Sequence, residues 1–319
     1  MLRTLPVASA LPALAVAASL SLAVHAHAQE RRSAVTGNPI DTHSLTAAFD
    51  ALKGGDTGPL ATLPAPTVAA IPAIRTALSD DSEAVRREAV TLLSLIEDPE
   101  AAPALAQATL DASTDVAARA ATALYVLGPD AMASDPAVAE ELRRAVDGGL
   151  TAGAAVLMLA HVPTPAQSAS IATLRTLRAT RGDMHAEVFS ASPVVPAAMM
   201  ADVALTKLGE ADAHARLLDA IRSGDLNTLE FLLSALREIE AADLLEALAA
   251  ATLSDHRPVD GDVVSSAGST VRLADVAAVR FAARFGLPVA VGERATERLS
   301  DETLRSVSHA LTAHLKGAR

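Results

Sequence analysis

The sequence predicts an all-α fold, an α-solenoid of stacked helix pairs, on three observations. Alanine and leucine dominate it, a helical column pattern recurs along it, and glycine and proline punctuate that pattern. Half of the 319 residues are hydrophobic, yet there is no Trp, one Tyr (Tyr125) and five Phe. Alanine loses no side-chain entropy in a helix, whereas sheets draw on β-branched and aromatic side chains that suit a pleated surface. The balance points to close-packed helices, free of sheet.

Six anchors, Glu97, Gly128, Pro163, Gly209, Glu240 and Gly286, each end a helical pattern. Eight residues before them stand Ala89, Ala120, Ala155, Ala201, Leu232 and Ala278, and four before stand Leu93, Leu124, Leu159, Leu205, Leu236 and Ala282. One before stand Ile96, Leu127, Val162, Leu208, Ile239 and Phe285. Offsets of eight, four and one share one helical face, with a small column where helices cross closely and larger ones where they interdigitate. The anchors are 31, 35, 46, 31 and 46 residues apart. Each interval has room for a second helix, predicted over Ala102–Leu110, Ala137–Val146, Ala166–Leu177, Ala211–Ile221 and Ala241–Leu253. Two helices per 31 to 46 residues mark an array in which each pair buries its face only by stacking. Gly128, Gly209 and Gly286 suit left-handed helix ends, and Pro72, Pro136 and Pro165 suit helix starts.

The stretch Ala70-Ile71-Pro72-Ala73-Ile74, Leu78-Ser79-Asp80-Asp81 and Val85-Arg86-Arg87-Glu88-Ala89 resembles the HEAT-repeat family, including the branch named for phycobilisome lyases. The resemblance spans roughly 67–316, by motif in the first two repeats and by periodicity afterwards. It implies about six stacked pairs, with an Asp in the inter-helix turn and an Arg six residues on that pair along the stack. Asp80 and Arg86 occupy those places, whereas Asp111 is followed by Ala117 and later repeats lose the pair.

Upstream, residues 1–28 have the form of an export signal: Arg3, an apolar core from Leu11 to Val24, then Ala26-His27-Ala28. Cleavage there makes Gln29 the first mature residue, in the periplasm of a Gram-negative cell. A retained membrane helix is the alternative, but Pro6 and Pro12 interrupt it and it is barely long enough to span. No stable anchor is expected after cleavage. Residues 29–66 read as a linker with one short helix near Ser44–Lys53, and 67–319 as the repeat domain. Polar segments Arg181–Pro193 and Ser254–Thr270 break the rhythm, as functional loops or as tolerated spacers.

The net charge of −12 includes no basic stripe for a phosphate backbone, so nucleic acid is not the expected ligand. The absence of cysteine excludes disulfides, thiolate metal sites and a Cys nucleophile. GxSxG, GxxxxGKT, GxGxxG and HExxH patterns are missing. Asp183 with His185 and Asp212 with His214 have the chemistry to orient a general base, but exposed polar pairs explain them as well. His309 and His314 are five apart, on different helical faces. Asp255, Asp260 and Asp262 around Gly261 lack the full twelve-residue calcium-loop pattern. Glu238, Glu240, Asp243 and Glu246 read as a solvated acidic face. The sequence therefore predicts no catalytic, cofactor or metal residues and no enzyme. It predicts a scaffold for another protein, for which a basic surface would suit. The resemblance also implies a chromophore lyase or isomerase as the alternative, and an enzyme built on the two loops is a further one.

Overall fold

A computed structural model describes residues 42–150, 152–186, 194–259, 270–291 and 298–317. The proposed signal segment lies outside the described residues. Two compact units divide the chain, the first ending at Pro163 and the second opening at Thr164.

In the first unit the helices are α1 (Thr42–Lys53), α2 (Gly58–Thr62), α3 (Ile71–Ala77), α4 (Glu83–Ser94), α5 (Ala102–Ala108), α6 (Thr114–Leu127), α7 (Pro129–Ser134), α8 (Pro136–Asp147) and α9 (Gly153–Met158). One row runs α4, α6, α9, and a second row sets α5 beside α8. The helix foreseen near Ser44–Lys53 packs Leu45, Ala48 and Phe49 into the unit, against α3 and α4.

The second unit continues with α10 (Thr164–Arg181), α11 (Ala197–Lys207), α12 (Ala211–Ser223), α13 (Leu226–Ser234), α14 (Ala242–Thr252), α15 (Leu273–Phe285) and α16 (Asp301–Gly317). Here α12, α14 and α16 pack in succession, and α13 packs on α15. No helix among the described residues is long and apolar enough to cross a membrane.

The fold is all-α, an α-solenoid of helix pairs, and the column register holds throughout. Every residue eight or four places before an anchor is buried, from Ala89 and Leu93 to Ala278 and Ala282. The column one place before the anchor is looser: Val162 and Ile239 are buried, while Ile96, Leu127, Leu208 and Phe285 are half-covered. Helix starts fall where proline was placed, with Pro72, Pro136 and Pro165 in first turns. The expectation of no sheet needs a small correction. His185–Ala186 pairs antiparallel with Val195–Pro196, and Pro258 bridges Arg272, so a short ladder clasps the base of each insertion.

The turn aspartates set the register of the first unit. Asp80 Oδ1 accepts from Ser82 N at 2.9 Å, and Asp111 Oδ1 from Ser113 N at 2.7 Å, each tying its turn to the next helix. Arg86 donates to the Asp80 backbone carbonyl at 2.9 Å. Its Nε and Nη2 then fork onto Asp111 of the following turn at 2.7 and 3.0 Å. Asp80 is thereby left for Lys53 of α1, at 2.7 Å. The pair thus runs along the stack, from one turn to the next, and Asp111 completes a rung without an arginine at position 117. Burial opposes ionisation of Asp111, but the Arg86 fork and the Ser113 amide outweigh it and hold the carboxyl below the usual carboxylate range.

A second feature separates the first anchor from its counterparts. Gly128, Gly209 and Gly286 have φ of 83°, 89° and 57°, whereas Glu97 takes φ 52° with a full side chain. A left-handed conformation costs an L-residue roughly 1–2 kcal/mol. Glu97→Gly should therefore stabilise the protein by about 0.5–1 kcal/mol, less than the full strain because glycine also gains freedom in the unfolded chain. Urea unfolding measures this, and a loss of stability would show that contacts of the Glu97 side chain outweigh its backbone strain.

Asp111→Asn should cost about 3 kcal/mol at neutral pH, because it strands the Arg86 guanidinium in a largely covered site. The folded pKa of Asp111 lies below its unfolded value, so its contribution is complete above the ordinary carboxylate pKa and fades as pH falls through the folded one. The gap between the parent chain and Asp111→Asn should accordingly narrow below about pH 4. An unchanged gap at acid pH would refute the charged rung.

Candidate functional site

Three residues, Leu208 to Glu210, join α11 to α12, and a polar cleft lies at this turn in the second unit. Thr206, Gly209, Glu210, Ala211 and His214 line about 270 Å³, with Gly209 supplying the left-handed turn. Below it, Lys207 stands 3.2 Å from Glu238 and 3.0 Å from Glu240. Arg237 Nε donates to Glu238 at 2.8 Å. The Glu238 side chain is 1% exposed, a burial that only its two cations make tolerable. The reading of 238–246 as a solvated acidic face is thus corrected for Glu238 alone, since Glu240, Asp243 and Glu246 are exposed. Glu238 and Glu240 are tied to α11 and Asp243 to α12, while Glu246 is exposed on α14.

His214 pairs with Asp243, at 2.8 Å between Nε2 and Oδ2, and not with Asp212. A carboxylate only accepts here, so Nε2 carries a proton. Asp243 is partly buried, which raises its pKa, yet the His214 hydrogen bond and charge bring it below the ordinary value. An imidazole oriented by a carboxylate has the form of a general base or of a metal ligand with its supporting partner. The same pair also pins α12 to α14. No group of three or more His, Asp or Glu side chains among the described residues is arranged to hold a metal ion.

The other candidates disperse. His309 joins Glu302, Arg305 and Ser306 along a groove of about 400 Å³ beside Pro288 and Val289. His314 instead lies 5.0 Å from the Phe285 ring, so the two histidines do separate. Asp183 is exposed in the turn before the first clasp, and the side chain of His185 lies outside the described residues. Asp255 is drawn below the usual carboxylate range first by Arg257, which forks onto it, and it also caps the turn through Arg257 N. Asp260, Gly261 and Asp262 lie outside the described residues.

Sequence reasoning passed over two buried clusters. Asp202 receives Arg178 from α10 and Arg216 from α12. Asp275, fully buried, takes Arg272 Nη2 at 2.9 Å and Leu299 N at 3.1 Å. Arg272 Nη1 in turn donates to His256 Nδ1 at 2.8 Å, since a guanidinium has no acceptor. The signal was present: Asp202 is the sole acid in Ala197–Lys207, and a lone charge in an apolar helix requires a buried partner.

The first unit has a different electrostatic character. Residues 42–163 hold seven Lys and Arg against sixteen Asp and Glu, a formal charge of −9 out of −12 for the chain. Glu100 and Asp130 are exposed on neighbouring turns, because α7 packs beside the 3-10 turn at Pro99–Ala101. On α4 and α6, Glu83, Arg87, Asp115 and Arg119 form an exposed chain of ion pairs worth little individually.

Comparison with known proteins bears on the family. No curated protein matches this chain. Among solved structures it is similar to the complex of CpcE and CpcF of phycocyanin lyase from Nostoc sp., at 17% identity, over 87% of this chain and 96% of that one, with a TM-score of 0.47. A family model for HEAT repeats matches residues 60–125, the segment that holds α3 to α6 and the Arg86–Asp111 rung. Over residues 60–125, then, this chain is similar to HEAT repeats.

Proposed function

We propose that this chain is a non-catalytic scaffold that binds another protein through the acidic first unit, in the periplasm. The observation that carries the reading is the charge of that unit. Its helix pairs account for stacking by burying apolar columns, yet nine of the chain's twelve net negative charges fall on it. Stacking does not require them, and they complement a basic surface. The HEAT repeats at 60–125 supply an extended helical face on which such a partner can rest. The tripartite N-terminus supports export.

The test is capture by the mature protein from an envelope fraction, compared with Glu100→Lys/Asp130→Lys. Neither carboxylate is needed for packing, so the double variant should melt within about 2 °C of the parent, as surface changes do. Recovery of a basic partner should fall at least tenfold, and raising salt from 50 to 300 mM should weaken the parent complex similarly. Undiminished capture by the variant would overturn the acidic-face reading. The chromophore lyase or isomerase alternative predicts a bilin absorbance shift with the purified chain, and a saturable shift would favour it. N-terminal sequencing of the periplasmic form should begin at Gln29. An intact Met1 from cytosol would exclude export.

A further inference from the structure

Asp202 sits in the middle of α11 with its side chain 7% exposed, between two arginines that are each 37% exposed. Arg178 Nε and Arg216 Nε both lie 3.0 Å from the same oxygen, Oδ1, so the two Nε atoms are at most 6.0 Å apart. Arg216 Nη2 adds a 2.7 Å bond. One carboxylate neutralises one guanidinium, and a second charge is left over at the pair. Arg178 reaches Asp202 through Nε alone. Both of its Nη groups, and Nη1 of Arg216, have no protein partner among the described residues.

These donors are unusual in being already aimed. A free arginine loses rotamer entropy when it engages a ligand, whereas here the Nε bonds to a buried carboxylate have fixed both stems beforehand. With their Nε atoms at most 6.0 Å apart on one carboxylate oxygen, the two guanidiniums are near enough for one oxyanion to bridge them. Nearby Arg175 is committed to Glu210, while Asp212 and Glu210 act on Arg216 through space and temper the site.

We propose that Arg178 and Arg216 form an oxyanion subsite that takes a carboxylate or phosphate group, with Asp202 as its positioning residue. It lies wholly in the second unit and is independent of the partner surface proposed for the first.

The test follows the arginine Nε–H resonances of the full mature chain by proton–nitrogen correlation, assigned with Arg178→Gln and Arg178→Lys. Inorganic phosphate and succinate are titrated separately against chloride at equal ionic strength. Saturable shifts of Arg178 and Arg216 in excess of chloride are expected. Response to phosphate alone assigns a phosphate ligand, and response to both anions, or to succinate alone, admits a carboxylate. Arg178→Gln should weaken binding at least tenfold while Arg216 still holds Asp202 and the chain stays folded. Arg178→Lys, which keeps charge but not the fork, should fall between. Shifts no larger than chloride gives, or unchanged affinity in Arg178→Gln, would overturn the subsite.

Discussion

A carboxylate removed from water must find a cation, and in this chain it finds one on another helix or turn. That constraint fixes the junctions between repeats. Apolar columns of Ala and Leu are permissive, because one alanine-rich face packs on another with little to choose between neighbouring registers. A buried Asp111, Asp202 or Glu238 is not permissive: a slip of one helical turn leaves it unpaired, at a cost of several kcal/mol. Hydrophobic burial thus supplies the drive to stack, and the ionic rungs select which stacking forms.

The two units solve this with different chemistry. In the first, Asp80 and Asp111 each tie a turn to the residue before the next helix and receive a cation from an earlier helix, Asp80 from Lys53 and Asp111 from Arg86. In the second, the acids move into helices and helix ends. Asp202 lies inside α11, and Asp275 joins Arg272 in the capping box of α15. In α16 Leu304, Val307, Leu311 and Leu315 are buried while polar residues occupy the other face.

This division explains what was legible in the sequence. The buried columns were, because a 3.6-residue period repeated six times is a strong signal, and positions such as Ala155 and Leu159 fell where it placed them. The rung partners were not. Arg86 stands six residues from Asp80 in sequence, yet its fork reaches Asp111, twenty-five residues away. Which of two aspartates a long side chain meets depends on how one pair leans on the next, and local spacing does not encode that angle. Glu238 misled within the acidic run at 238–246 for the same reason: its cation Lys207 belongs to an earlier repeat.

Function was still less legible, and the reason is physical. A catalytic site demands several groups in one geometry, so its residues leave spaced motifs, whereas a docking face demands only shape and charge spread over turns far apart in sequence. Glu100 and Asp130 become neighbours solely because α7 packs beside the turn at Pro99–Ala101. Arg178 and Arg216, thirty-eight positions apart, converge only because Asp202 draws both to one oxygen. In each case the element that assembles the surface is a structural necessity of the stack. A solenoid of this kind carries its recognition chemistry on the residues that its rungs and turns happen to bring together, and those rungs show where to look for it.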